Sequence, residues 1–297
     1  MRPGTEPSPI HIPVMVPEVL SYLNVRPDGV YLDGTVGLGG HAKHILSHLN
    51  SDGRFVGVDR DARALDICKE TIHAFATPIS LYNRSYDTIP SLLRSEEIPP
   101  VNGILLDLGL SSLQLSSAER GFAYSTDGPL DMRFDPESGV TAESLIQNST
   151  EKELADILYQ YGEERHSRRI ARYIKKAASM TTISDLLESI RRCTAPAHRQ
   201  RTLARIFQAL RIAVNNELDS LHHFLDTFID SLAIGGRIVI ISYHSLEDRP
   251  VKHSFKQFNR DGRLRILTKK PITPSIDEVA TNSKARSAKL RAAERII

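Results

Sequence analysis

Short apolar runs and helical periods alternate along the first 110 residues of the chain. The apolar runs contain few polar positions, which is typical of strands buried on both faces of a parallel sheet. Between them, apolar residues recur at helical spacing, so the pattern predicts successive βαβ units. The predicted elements are strands at 30–32, 54–58, 79–82 and 103–106 and helices at about 41–49, 62–75 and 85–94. This half of the chain therefore predicts a doubly wound α/β sheet.

The alternation stops after Leu110 and resumes about 125 residues later, at a strand predicted for 235–242. A gap of this length is too long for a loop. Its own pattern is helical, because Thr150 and Glu153 form a capping-box motif ahead of an apolar run. Further helical periods follow at about 165–178 and 202–214.

These patterns divide the chain into a sheet domain with a helical insertion. We predict a domain made of residues 1–113 and 215–297, with a helical recognition subdomain at 114–214 inserted into it. Strand-like runs at 263–267 and 289–296 are expected to close the sheet as a final hairpin.

Composition narrows the class of protein. The chain has 297 residues, of which 40% are hydrophobic, so it can bury a core, and intrinsic disorder is excluded. Its two cysteines, Cys68 and Cys193, exclude a disulfide framework and a cysteine-based zinc site and suit a reducing compartment. Residues 1–10 lack the apolar region of a signal peptide, and no run approaches 18 apolar residues, so we expect a cytoplasmic protein without a membrane span.

A glycine-rich loop, residues 33–41, leaves the first predicted strand and enters a helix, and Asp59 ends the next strand. Glycines let the backbone approach a ligand closely, and a carboxylate at that second position accepts the hydrogens of both ribose hydroxyls. The pattern therefore indicates a nucleotide cofactor. The alternative is a structural turn with Asp59 as the cap of a helix.

The loop also fits the G-x-G-x-x-G/A pattern of dinucleotide-binding dehydrogenases, over Gly37–Ala42. Two further carboxylates argue against that cofactor. Asp33 ends the first strand where a pyrophosphate would approach, and Asp107 ends the fourth strand. Negative charge at these positions favours S-adenosylmethionine, which has a sulfonium, an ammonium and a ribose but no phosphate.

A set of motifs in fixed order resembles the bacterial small-subunit ribosomal RNA methyltransferase H family. The motifs are His11–Met15, Asp33–His41, Asp59–Asp61, Gly103–Ser112, Arg120–Phe122, Gly128–Arg133, Tyr161–Arg165 and Ser242–Arg249. The resemblance implies a class I, Rossmann-like methyltransferase that uses S-adenosylmethionine to methylate the exocyclic N4 of one cytidine in 16S rRNA, near the ribosomal P site. It further implies cofactor contacts at Gly39, Gly40, His41, Asp59, Tyr86, Asp107 and Gln114.

The predicted chemistry asks for a hydrogen-bond acceptor and an aromatic surface. A cytosine amino group is a poor nucleophile, so an enzyme must position it and accept its hydrogens, and Asp107 or a backbone carbonyl can do so. Asp107 is equally compatible with a purely cofactor-binding role. An extruded base needs aromatic faces, and the candidates are Phe122, Tyr124, Phe134, Tyr243 and His244. We favour Tyr243 and His244 for the stacking surface, and we also count His244 with Asp107 as catalytic. The alternative is that Tyr243 belongs to the sheet core and His244 caps a turn.

Two parts of the insertion are candidate substrate contacts. Asp131 and Arg133 combine an acid and a base in a turn that can fold over the cofactor, and the alternative is an ordinary salt-bridged turn. Arg165, Arg168 and Arg172 recur on one face of a predicted helix, where they would contact RNA phosphates; the alternative is a solvated face.

The formal net charge of +2 conceals an uneven distribution. Residues 1–150 carry 11 basic and 19 acidic side chains, whereas residues 165–211 carry 12 basic and two acidic ones. Acidic residues thus gather where a cationic cofactor is expected, and basic residues gather where 16S rRNA or the small ribosomal subunit is expected.

Other functions remain open from the residues alone. They are methylation of another RNA or DNA base, a non-catalytic RNA-binding protein of the same fold, and a dehydrogenase, which Asp33 disfavours. No metal is predicted, because His41, His44 and His48 recur at helical offsets without an accompanying Glu or Cys. The sequence leaves the oligomeric state open.

Overall fold

The computed structural model describes residues 12–297. Residues 1–11, which include the N-terminal stretch and His11 of the first motif, lie outside the described part. No helix among the described residues combines the length and the apolar character needed to cross a membrane.

The core of the fold is a seven-stranded sheet with the order β3-β2-β1-β4-β5-β7-β6. Strands β1 to β5 pair in parallel, and β7 runs antiparallel between β5 and β6. The strands are β1 (Val30–Asp33), β2 (Arg54–Asp59), β3 (Ile79–Asn83), β4 (Val101–Asp107), β5 (Leu232–Ser242), β6 (Leu264–Ile266) and β7 (Lys289–Arg295). The predicted α/β class, the parallel strands and the closing hairpin are confirmed.

Thirteen α-helices lie within the described residues. They are α1 (Val16–Leu23), α2 (Gly40–Leu46), α3 (Ala62–Ile72), α4 (Ile89–Ser95), α5 (Ser112–Ser116), α6 (Ala142–Asn148), α7 (Glu151–Gln160), α8 (Ser167–Lys175), α9 (Ile183–Cys193), α10 (Pro196–Asn215), α11 (Glu217–Thr227), α12 (Ser245–Arg260) and α13 (Ile276–Thr281). The predicted capping box at Thr150 is present and starts α7. Helix α10 begins six residues earlier than predicted, because Pro196 occupies its first turn, where a proline is favourable.

The described chain forms two compact units. One contains the described residues up to Gly109 together with Leu221–Ile297, and the other contains Leu110–Ser220. In the first unit, successive residues of β4 enter different apolar clusters, since Ile104 and Leu106 belong to one and Leu105 to another. This alternation is expected for a strand that is buried on both faces. The second unit is helical and has a core of its own, to which Ile170 and Ile206 contribute.

Candidate active site

Three carboxylates end neighbouring parallel strands of the first unit, at the edge where open α/β sheets bind ligands. They are Asp33 on β1, Asp59 on β2 and Asp107 on β4. Burial and the negative charges of Asp107 and Asp59 raise the pKa of Asp33 to about 8. Burial likewise raises the pKa of Asp59 to about 6. The raised pKa values mean that ionised carboxylates are disfavoured at this edge in the protein alone, so a cationic ligand bound there would favour their ionised forms.

The glycine loop lies against Asp59. The N–H of Gly37 donates to Asp59 Oδ2 at 2.8 Å, and the N–H of Asp61 donates to Asp59 Oδ1 at 2.9 Å. Gly37 and Gly39 adopt positive φ values of 51° and 87°, which glycine tolerates best. A Cβ on Gly39 would also lie 3.1 Å from Cys68 Sγ. Helix α3 is capped by Asp61 rather than by Asp59, so the capping alternative for Asp59 is wrong.

Asp107 is held in place by its neighbours on three sides. Its backbone N–H donates to Thr35 Oγ1 at 2.6 Å, and its Oδ1 accepts the hydroxyl hydrogen of Tyr243 at 2.8 Å. Its Oδ2 lies 3.9 Å from Nδ1 of His41, whose Nε2 is 2.8 Å from the carbonyl oxygen of Val14. The Asp107 side chain is 21% exposed, so the carboxylate is accessible to a ligand as well as oriented.

Tyr243 follows β5 and reaches back across the sheet edge to Asp107. Its ring covers Gly109, where a Cβ would lie 2.7 Å from a ring carbon. Burial and the adjacent Asp107 raise the pKa of the Tyr243 hydroxyl, which keeps it protonated as a donor. The contacts of Tyr243 thus orient Asp107, while the predicted contact of Tyr243 with a base stays a prediction.

His244 is the N-cap residue of α12, so it caps a helix and not the turn that the alternative from the sequence described. Its Nε2 lies 3.1 Å from Oε1 of Glu247, and Glu247 Oε2 accepts the backbone N–H of Tyr243 at 2.7 Å. A helix cap does not exclude contact with a substrate, and the catalytic role of His244 stays a prediction. The Glu247 contact was missed at the sequence level, although the spacing of His244 and Glu247 is that of a capping box.

Tyr86 lies on a 3₁₀ turn, Tyr86–Thr88, directly after β3. Its ring meets the ring of Phe224 edge to face, with centroids 5.8 Å apart. The preceding Ser85 has a buried Oγ with no hydrogen-bond partner among residues 12–297. A buried hydroxyl without a partner is uncommon in folded proteins, and a ligand bound here would supply the missing partner. No pattern in the sequence pointed to Ser85 or to Thr35.

The remaining predicted site residues lie in the helical unit. Gln114 is buried and completes a capping box, since its Oε1 accepts the N–H of Ser111 at 3.0 Å. Asp131 and Arg133 form a two-pronged pair with distances of 3.0 and 2.7 Å. That pair matches the salt-bridged-turn alternative, and the predicted cofactor and substrate contacts of these three residues stay predictions.

The basic face predicted for the insertion lies on α8. Ile170, Ala171 and Ile174 are buried on one side of this helix, while Arg168 and Arg172 are exposed on the other, and Arg165 is exposed just before it. Arg172 pairs with Glu151 at 3.4 Å, and both side chains are largely exposed. Such a pair contributes little to stability, so the guanidinium can exchange partners at little cost.

Three of the aromatic candidates belong to the core of the helical unit. Phe122 is buried and stacks on Phe134 with ring centroids 5.6 Å apart. Tyr124 meets Phe207 edge to face. Each of these rings already packs against another ring of the protein, which makes them poorer candidates for base stacking.

Comparison with known proteins gives a consistent match over nearly the full chain. The profile of the MraW methylase family matches residues 8–296. A protein of Kosmotoga olearia named ribosomal RNA small subunit methyltransferase H is 46% identical over 96% of this chain and 97% of its own length. A protein of the same name from Thermotoga neapolitana is 46% identical over 96% of this chain and 95% of its own. Among solved structures, NSun6 from Pyrococcus horikoshii matches 97% of this chain and 53% of its own, with a TM-score of 0.47 and 14% identity.

Proposed function

The chain belongs to the MraW methylase family, and from that premise we propose that it methylates the exocyclic N4 of a cytidine in 16S rRNA, near the ribosomal P site, with S-adenosylmethionine as the donor. Its place among small-subunit rRNA methyltransferases rests on relatives that align with nearly the whole chain. The proposal includes a cytoplasmic location, because small-subunit rRNA is found there.

The residues at the sheet edge fit S-adenosylmethionine. Asp107 supplies negative charge for the ammonium and sulfonium groups, and Asp33 adds a second charge when a bound cation lowers its raised pKa and ionises it. The glycine loop permits close approach of the backbone. Asp59 is a carboxylate acceptor for the ribose hydroxyls, and Tyr86 with the unpartnered hydroxyl of Ser85 is suited to the adenine. When bound, the cofactor supplies a methyl group attached to a sulfonium sulfur. The sulfur is the leaving group and keeps the electrons of the broken carbon–sulfur bond.

The observation that carries the proposed chemistry is the Asp107 carboxylate, which is oriented by Tyr243 and Thr35. The amino nitrogen of cytosine must lose one proton as it gains a methyl group. A fixed acceptor draws the amino hydrogens to one side and turns the nitrogen lone pair to the other. With Oδ1 engaged by Tyr243, Oδ2 is the oxygen that remains to accept a hydrogen bond from an incoming amino group.

The helical unit, predicted as 114–214, is the proposed RNA recognition subdomain. Its exposed arginines on α8 would contact phosphates, which fix the orientation of the RNA without selecting a base. Selection of the cytidine would then rest on the sheet edge, where the amino group is recognised.

Nucleoside analysis tests the proposed function. Small-subunit rRNA from cells that lack this activity is incubated with the protein and S-adenosylmethionine carrying a labelled methyl group, and the digested nucleosides are separated by mass spectrometry. We expect label in N4-methylcytidine. Label on a ring carbon, on a 2′-oxygen or in another base would favour a different methyltransferase reaction, and the absence of any label would favour a non-catalytic RNA-binding protein.

Asp59→Ala is expected to weaken binding of S-adenosylmethionine by at least about 100-fold, because two hydrogen bonds to a charged acceptor are lost at roughly 1.5–3 kcal/mol each. Isothermal titration calorimetry measures the affinity. Asp66→Ala, on the exposed side of α3, is the matched control and should bind as the wild type does. Equal affinities of the Asp59 variant and the wild type would refute the ribose assignment.

Loss of Arg168 and Arg172 together, as alanines, is expected to weaken RNA binding and to leave cofactor affinity unchanged. Each phosphate contact that is lost should reduce the slope of log K against log salt concentration by roughly 0.7–0.9. Filter binding of 16S rRNA fragments over a salt series measures this slope. The control removes two charges from the exposed side of α12, at Lys252 and Lys256, and a matching loss of slope there would contradict a specific role for α8.

A further inference from the structure

The helical unit contains a cavity of about 450 Å³ that the methyl-transfer chemistry does not use. It lies where the chain enters α8 and α10. Four arginines line it, namely Arg165, Arg169, Arg201 and Arg205, together with one acidic residue, Glu164. A concave site with four guanidinium groups is suited to a phosphate.

Glu164 is the unexpected member of this lining. It is 2% exposed, and its Oε1 accepts the backbone N–H of His166 at 2.9 Å. Its Oε2 is buried and has no hydrogen-bond partner in the described part of the chain. The guanidinium of Arg205 lies 3.6 Å from Oε2, which is too long for a hydrogen bond.

The local backbone explains how the carboxylate comes to lie there. A Cβ on Gly162 would lie 2.7 Å from the carbonyl oxygen of Arg205, so this glycine lets the loop pack directly against α10. Glu163 then turns the chain with a φ of 50°. The loop is thus held tightly, and Glu164 follows it into the cavity. The ion pair with Arg205 offsets part of the charge of this carboxylate but leaves Oε2 without a hydrogen-bond donor, which a ligand in the cavity can supply.

Two helix starts add to the anion affinity of the cavity. The residues that cap α8 and α10 at their N-termini, His166 and Ala195, both line it. Helix N-termini carry partial positive charge. The phosphate end of a ligand is therefore favoured by helix ends as well as by guanidinium groups.

We propose that this cavity binds one unpaired nucleotide of RNA, with its phosphate at the arginines and a base amino or ribose hydroxyl hydrogen donated to Glu164 Oε2. This inference rests on the proposed function in that RNA is the substrate, and it adds a nucleotide pocket to the phosphate contacts on α8. A free phosphate ion at neutral pH is a poor match, because it offers little to the buried carboxylate and is repelled by it. The volume lies within the range of small-molecule pockets.

Substitution of Glu164 distinguishes a nucleotide site from a simple anion site, because the two predict opposite changes in nucleotide affinity. Glu164→Gln removes the repelling charge and the charged acceptor while it keeps the shape. We expect the affinity for cytidine 5′-monophosphate to fall by about tenfold or more, and the affinity for inorganic phosphate to rise. Arg205→Ala should weaken both ligands. Arg94→Ala, an exposed arginine on α4, is the control for the loss of one positive charge and should change neither.

The titrations use the full-length protein, and thermal unfolding shows that each variant is folded. The ligands titrated are the four ribonucleoside 5′-monophosphates and 2′-deoxycytidine 5′-monophosphate. Loss of affinity on removal of the 2′-hydroxyl identifies the ribose as the donor to Glu164. Dependence of the affinity on the base identifies a base amino group as the donor. No binding of any nucleotide, or a Glu164→Gln variant that binds phosphate and nucleotides more tightly alike, would overturn the proposal. If Glu164→Gln does not fold, Arg205→Ala provides the test instead. Nucleotide affinity equal to that of the wild type in this variant would overturn the proposal.

The proposed methyl transfer is judged separately on the wild-type protein. Label at a position other than N4 would refute the proposed reaction and leave the nucleotide titrations unaffected. Label at N4 together with unchanged nucleotide binding in both cavity variants would refute the pocket alone.

Discussion

Asp107→Asn is expected to slow methyl transfer to 16S rRNA by at least about 100-fold, in the range of losses seen when a positioned proton acceptor is removed. Asparagine keeps the size of the side chain, and its Oδ1 can still accept from Tyr243. Its Nδ2 presents hydrogens instead of an acceptor to the incoming amino group. Single-turnover labelling of rRNA at saturating cofactor measures the chemical step, and calorimetry measures cofactor affinity on the same variant.

Tyr243→Phe is the companion variant, because it removes only the hydroxyl that orients Asp107 at 2.8 Å. A loss of about tenfold in rate, with nearly unchanged cofactor affinity, is expected from the removal of one hydrogen bond to a charged group. An Asp107→Asn variant that reacts at nearly the wild-type rate once cofactor is saturating would instead support the purely cofactor-binding role of Asp107.

The sequence predicted the parts of the fold that depend on local pattern. Strands such as 103–106 are short and wholly apolar, and the glycine loop with Asp59 follows from the backbone approach that a cofactor requires. The closing hairpin was also predicted, although β7 lies between β5 and β6. Helix α12 was not predicted, because Pro250 and a polar composition obscure its period.

Contacts that depend on the folded chain could not be predicted in the same way. The Tyr243 hydroxyl meets Asp107 across 136 positions of sequence, and no spacing rule relates the two. The same holds for Thr35, whose hydroxyl accepts the backbone N–H of Asp107. Motif similarity identified Asp107 and Tyr243 as important, whereas only the structure shows that one orients the other.

The segregation of charge follows from these local demands. At the sheet edge, burial and the nearby carboxylates of Asp107 and Asp59 raise the pKa of Asp33, so an ionised Asp33 disfavours the ligand-free protein. In the helical unit, four arginines share one cavity. Each unit thus holds like charges together at a free-energy cost that a ligand of opposite charge can offset. The net charge of +2 is the sum over the whole chain and conceals this segregation.

Asp33→Asn is expected to stabilise the ligand-free protein at high pH and to weaken cofactor binding at the same time. Asp33 is 1% exposed, and burial with the neighbouring carboxylates raises its pKa from 3.8 to about 8. Between these values the folded state holds a proton that the unfolded state releases, so stability falls as pH rises through this window. Each unit of pKa shift corresponds to about 1.4 kcal/mol. Ionisation of Asp33 above a pH of about 8 therefore lowers the free energy of unfolding by several kcal/mol.

Asparagine carries no such cost, and its side-chain oxygen can still accept the N–H of Thr35, as Asp33 Oδ1 does at 3.1 Å. At pH of about 8.5 the Tm of Asp33→Asn should exceed that of the wild type by at least about 5 °C, and near pH 4 the two should nearly coincide. Asp28→Asn, at an exposed position, is the control and should shift Tm little at either pH. A constant difference between Asp33→Asn and the wild type across the pH range would show that Asp33 is not protonated in the folded protein. Loss of cofactor affinity in the stabilised variant would show that the destabilising charge of Asp33 is retained for the cationic ligand. If Asp33 served only the fold, its replacement would not make the protein more stable.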